Sequence, residues 1–198
     1  MRKENNRFYD RLFAIIFCVL TIIFIGLAFT NVSFFDWVFA RHQNQLSWYI
    51  RPLFLIPFCF FAYRRSLAGI FGTIFLLITS MCWFPVPTEV NSNVSDFLAM
   101  EKEYLTGNWE ASKILVTLLV PTSLTVLVIA LWKRSLWMGI STLVFIAVAK
   151  MLWSVAFGGE SGKAVIIPAI IGLVVCIVMI VIGYLKLEKK KKLQTEER

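Results

Sequence analysis

Residues 12–30 read LFAIIFCVLTIIFIGLAFT, an unbroken apolar run without one formally charged side chain. A helix needs about 20 mostly apolar residues to cross the roughly 30 Å hydrocarbon core of a bilayer, because each residue adds about 1.5 Å. The run is too long for a single strand, and it lacks the alternation of polarity that a membrane barrel strand carries. Five similar runs follow at 47–63, 66–84, 114–132, 136–154 and 164–185. Together they predict an all-α polytopic membrane protein, with six transmembrane helices forming one domain over residues 1–198 and no separate soluble domain. Composition agrees. The chain is 59% hydrophobic and 16% charged, against about 45–50% and about 25% in soluble domains.

Arg2, Lys3, Arg7 and Arg11 precede the first run as a basic n-region precedes a signal sequence. The apolar stretch exceeds the usual length of about 7–15 residues, and no A-x-A-like site directly follows it, so a retained helix is expected. Cys18, Cys59, Cys82 and Cys176 all fall inside predicted spans without metal-ligand spacing. They read as buried thiols acting as small apolar groups.

Basic residues collect at the cytoplasmic ends of spans. With the N-terminus inside, the inner segments hold Arg2, Lys3, Arg7, Arg11, Arg64, Arg65, Lys133, Arg134, Lys186, Lys189, Lys190, Lys191, Lys192 and Arg198 of the 20 basic residues. The outer loops hold only Arg41, Lys102, Lys113 and Lys163. This predicts both termini in the cytoplasm, and the small size, short loops and basic tail suit a bacterial inner membrane. The net charge of +8 is then mainly a topology signal. The tail 186–198 is expected to attract anionic lipid headgroups through Lys189, Lys190, Lys191 and Lys192, not nucleic acid. Trp48, Trp83, Trp109 and Trp153 fall at outer ends of spans, while Trp132 and Trp137 flank an inner turn, as indole rings at headgroup level would. Association into a homo-oligomer is compatible with such a chain.

Two hairpins resemble each other. Arg65-Ser66-Leu67 aligns with Arg134-Ser135-Leu136, and Pro52 with Pro121, at a common offset of 69. The pattern reads either as a parallel repeat of spans 2–3 and 4–5 or as two membrane hairpins sharing a basic turn. Repeat interfaces are where transporters often place their sites. Pro52, Pro57, Pro121 and Pro168 are expected to kink or terminate helices.

Two cations lie within predicted spans: Arg51 about one turn into the second, Lys150 about one turn before the end of the fifth. Such charges are either functional or snorkel to the headgroups. Residues 92–105, SNVSDFLAMEKEYL, read as an outer amphipathic helix with Val94, Phe97, Leu98, Tyr104 and Leu105 on one face. Glu101 lies in that face and requires a cation, with Arg51 and Lys150 the two available from below. The first outer loop carries Asp36, Arg41 and His42, the chain's single histidine, among aromatic residues. His42 reads as polar surface or as a weak acid–base candidate. One histidine and no cysteine in the outer loops provide too few ligands for a metal, and nothing implies a cofactor.

The stretch AFGGESGKAV, 156–165, looks like a phosphate loop but has three residues between Gly158 and Gly162-Lys163 where four are required, and Ala164 replaces the Ser or Thr. It is expected to be a tight outer turn in which Gly158 and Gly159 end span 5, Glu160 or Ser161 caps span 6, and Lys163 extends the cationic rim. Three functions remain open. One is a small transporter, channel or flippase-like protein handling an anionic solute or lipid headgroup through Arg51, Lys150, Glu101, Arg41 and Lys163. The others are a membrane enzyme acting on lipid or lipid-linked substrate through His42, and a non-catalytic assembly, immunity or regulatory protein.

Overall fold

The computed structural model describes residues 2–196, with side chains described for 6–186 and for Lys189. The side chains of Lys190, Lys191 and Lys192, expected lipid contacts, lie outside the described residues. All regular structure among the described residues is helical: α1 (Arg2–Thr30), α2 (Val32–His42), α3 (Leu46–Leu53), α4 (Leu55–Arg64), α5 (Leu67–Thr79), α6 (Ser92–Thr106), α7 (Ala111–Trp132), α8 (Leu136–Gly162) and α9 (Ile166–Glu196). Single turns of 3-10 helix follow α5 and α8.

Four segments among the described residues are long and apolar enough to cross a membrane: Asn6–Thr30, Leu46–Arg64, Ala111–Trp132 and Leu136–Lys186. The apolar helix Leu67–Cys82 is shorter. Its 13 α-helical and three 3-10 residues extend about 25 Å, less than the roughly 30 Å hydrocarbon thickness. The segment Leu136–Lys186 covers the last two predicted spans in 51 residues. It folds back on itself, since Leu143 of α8 and both Leu173 and Ile180 of α9 pack into one apolar cluster. Gly159 makes the reversal, with φ 54° and ψ −128°, a conformation that side chains with a Cβ rarely adopt. The predicted caps are not used there. Helical pairing resumes directly after Gly159 because the glycine redirects the chain without unwinding its neighbours, and Ser161 Oγ donates to the Gly158 carbonyl at 2.7 Å.

The segment Leu46–Arg64 is two helices meeting at Phe54. Pro52 and Pro57 lack the N–H groups that a continuous ladder needs. The Phe54 N–H closes a tighter turn on the Arg51 carbonyl at 3.1 Å. The Pro52 carbonyl accepts the Cys176 thiol at 3.2 Å. Gly172 of α9 lies against Pro52 so closely that a Cβ there would overlap the ring, so α9 packs directly on the kink. Pro121 sits inside α7, where Thr125 Oγ1 donates to its carbonyl at 2.8 Å and Ser123 Oγ to that of Val120 at 2.9 Å.

The turns after α4 and α7 are built alike. Arg65 (φ 59°) and Arg134 (φ 58°) adopt the left-handed conformation that ends many helices. Ser66 and Ser135 then cap α5 and α8, accepting the Gly69 and Met138 N–H groups. The two turns also hold each other. Arg65 NH2 donates to the Trp132 carbonyl at 3.1 Å, and the Arg134 guanidinium lies over the Tyr63 ring, 5.3 Å from its centroid. Asp10 of α1 closes this end. Its carboxylate accepts Ser66 Oγ at 2.6 Å, Leu67 N–H at 3.0 Å and Ala68 N–H at 3.3 Å, which places an anion on the positive end of the α5 dipole.

Two apolar clusters divide the interior. One joins Phe58, Cys59 and Ala62 of α4, Ile70 of α5, Leu127 and Leu131 of α7, and Leu143 of α8. The other joins α2, α3 and α6 at the opposite end, through Phe35, Phe39, Trp48, Val94, Phe97 and Leu98. The four cysteines are free thiols, with Cys59 and Cys176 buried.

Candidate polar site beneath helix α6

The second cluster encloses a chain of polar groups. Helix α2 starts at Asn31, whose side chain accepts the Phe34 N–H at 3.0 Å, and buries Phe35, Val38 and Phe39 together with His42 at its end. Helix α6 is capped by Asn91 and buries Val94, Phe97 and Leu98. These apolar faces cover the start of α3, where Ser47 and Arg51 are four residues apart and so share one face.

His42 is 3% exposed, not the polar surface group its loop position suggests. Its Nδ1 lies 2.8 Å from Ser47 Oγ and its Nε2 lies 3.2 Å from Arg51 NH1. A guanidinium has donors only. Nε2 must therefore accept, Nδ1 must carry the proton, and Ser47 Oγ receives it. Ser47 in turn donates to the Asn44 carbonyl at 2.7 Å. The imidazole is fixed as a neutral ring in one tautomer. Burial first, then the positive charges of Arg51 and Lys150, hold its pKa well below the usual imidazole range. Trp48 donates its indole N–H to the His42 carbonyl at 2.9 Å and is buried, so it is a packing residue here and not a headgroup anchor.

Arg51 keeps some exposure, but its Nε is sealed from solvent and lacks a hydrogen-bond partner. No carboxylate among the described residues pairs with it within 4 Å. Glu101 acts on it only at longer range, because Glu101 Oε1 accepts Lys150 Nζ at 2.7 Å. The Glu101 side chain is 17% exposed and that of Lys150 45%. Lys150 also lies over the Trp153 ring, 4.4 Å from its centroid, and within 5.4 Å of that of Phe97. Two cations thus share one carboxylate under α6, leaving about one positive charge in a partly desolvated site, where an unpaired charge is costly.

The remaining candidates lie apart from this network. Arg41 NH1 donates to the carbonyls of Cys82 and Phe84 at 3.4 and 3.3 Å, and its guanidinium lies over Trp37. It ties α2 to the end of the α5 segment. Lys163 pairs with Glu160 at 2.7 Å on an exposed turn. No group of three or more His, Cys, Asp or Glu side chains able to hold a metal occurs among the described residues. Sequence reasoning did not single out Ser47, although its four-residue spacing from Arg51 was a usable signal, and it placed Trp48 at the headgroups, where the structure buries it. Comparison with family models, with curated proteins and with solved structures finds no match to this chain.

Proposed function

We propose that the chain is a six-span membrane protein that receives an anionic solute or lipid headgroup beside Arg51, acting as a small transporter or flippase-like protein. In this reading both termini lie in the cytoplasm, consistent with the basic residues at the Arg65 and Arg134 turns. The two parts of Leu136–Lys186 cross separately, and the short helix Leu67–Cys82 crosses where the bilayer thins or its end is covered by protein. Helix α6 then lies over the outer mouth. The observation that carries the reading is the uncompensated Arg51 guanidinium, with a sealed and unpartnered Nε beside a neutral imidazole. A phosphate or carboxylate oxygen supplies the acceptor that such a group lacks. The matching Arg65 and Arg134 turns are consistent with a parallel repeat of two hairpins flanked by α1 and α9.

The enzyme reading has less support. A serine nucleophile needs its proton taken by the imidazole, whereas Arg51 forces the His42 proton onto the nitrogen facing Ser47. Reconstitution into liposomes tests the proposal. The wild-type chain is expected to move a fluorescent phosphatidylglycerol analogue between leaflets, or a labelled anion across the bilayer, faster than Arg51→Ala and Lys150→Ala. Equal rates in all three count against it and favour the assembly or regulatory role.

A further inference from the structure

At the opposite end from α6, a groove of about 140 Å³ runs between α4, the start of α8 and α9. Its floor is apolar, with Ile56, Leu131 and Met179 among its lining, and its mouth carries Tyr63 and Arg134. Along α4 it extends from Ile56 to Tyr63, about 10 Å at 1.5 Å per residue. Gly183 opens the α9 wall, since a Cβ built there meets no heavy atom within 4 Å. Arg134 is exposed, lies over the Tyr63 ring and makes no ion pair among the described residues. Lys133 and Lys186, both exposed, add positive charge at the same end. The left-handed backbone at Arg134 turns its side chain back across the end of α4 instead of continuing along a helix.

We infer that this groove binds one anionic phospholipid, its acyl chain along α4 and α9 and its phosphate against Arg134. The inference rests on the membrane reading but not on the site at Arg51, which lies at the other end. An acyl chain matches a narrow apolar groove open along its length. A phosphate matches a guanidinium at the mouth that already stacks on an aromatic ring and whose N–H groups have no hydrogen-bond partner among the described residues. The bound lipid would join α4 to α9, both of which line the groove.

Native mass spectrometry of the full chain, released from nanodiscs holding equal phosphatidylglycerol and phosphatidylcholine, tests this. One retained phosphatidylglycerol per chain is expected in the wild type and in Gly183→Ala. Gly183→Phe, which fills the groove without changing charge, is expected to lose it. Arg134→Asn, which tolerates the left-handed backbone, is expected to lower the preference for phosphatidylglycerol about fivefold, near the roughly 1 kcal/mol of one basic residue at an anionic surface. Lys163→Gln, on the exposed turn where Lys163 pairs with Glu160, is expected to leave the adduct unchanged, which separates the role of Arg134 from a general loss of positive charge. Identical adducts in the wild type and Gly183→Phe would overturn the inference, as would a dimer of the chain that Gly183→Phe dissociates. Extraction of the chain from membranes by alkaline carbonate would overturn the membrane reading itself.

Discussion

A guanidinium cannot accept a hydrogen bond, so the contact between Arg51 NH1 and His42 Nε2 determines where the imidazole keeps its proton. The consequence is a pH dependence with a definite sign. His42 faces Ser47 and Arg51 from α3 and lies within electrostatic reach of Lys150 from α8. Its folded pKa is depressed, so below about pH 6.5, the ordinary imidazole value, the unfolded chain binds a proton that the folded chain does not. The stability contribution is complete above that pH and declines on acidification, by up to about 1.4 kcal/mol per pH unit. Thermal unfolding in detergent between pH 7.5 and 5 is expected to show this decline, and His42→Asn is expected to flatten it. The Glu101–Lys150 pair makes a second prediction. It is partly exposed, so Glu101→Gln is expected to cost about 1 kcal/mol, while exchange of the two charges in Glu101→Lys with Lys150→Glu recovers most of the stability that Glu101→Lys alone loses. Of these residues, Arg51 and Lys150 were legible in the sequence because a charge in an apolar run stands out, and Glu101 because it falls on the apolar face of an amphipathic helix. The burial of His42 was not, because it comes from α2 and α6 closing over a residue whose own neighbours are polar.

Helix ends and interruptions follow the same local chemistry. Asp10 receives three donors at the start of α5, although the sequence shows only an acid among arginines. Asp10→Ala is expected to destabilise the bundle by about 1–2 kcal/mol, the range of a lost helix cap, with faster hydrogen exchange at Leu67 and Ala68. Asp10→Asn should retain part of the effect. The break at Phe54 was foreshadowed by Pro52 and Pro57, but its packing partner was not, since Gly172 is 120 residues from Pro52 in the chain. A methyl group at Gly172 would overlap Pro52, so Gly172→Ala is expected to push α9 off the kink and lower the melting temperature. Gly26→Ala, where a Cβ meets nothing within 4 Å, is expected to leave it unchanged or raise it slightly. Helix α6 was legible from its periodicity, because one apolar stripe on a short polar segment admits few other structures.

At the scale of the whole molecule, apolar run length identified the helices well but divided them imperfectly. The reversal falls at Gly159, inside the glycine-rich stretch GGESGK that separates the fifth and sixth apolar runs, but the helical pairing that continues through it was not legible, because it depends on one backbone conformation. The short α5 segment is apolar yet falls below a full span, because its end turns into a 3-10 helix held by Arg41. The proposed six crossings predict that reporter fusions at the N- and C-termini lie on the same, cytoplasmic side, whereas opposite sides would require an odd number. The central claim concerns the charge balance under α6, and a density map of the protein purified with its native lipids tests it most directly. The account predicts phosphate- or carboxylate-sized density against the Arg51 guanidinium, with Glu101 still on Lys150. A Glu101 carboxylate turned onto Arg51, closing the site with no ligand density, would contradict it.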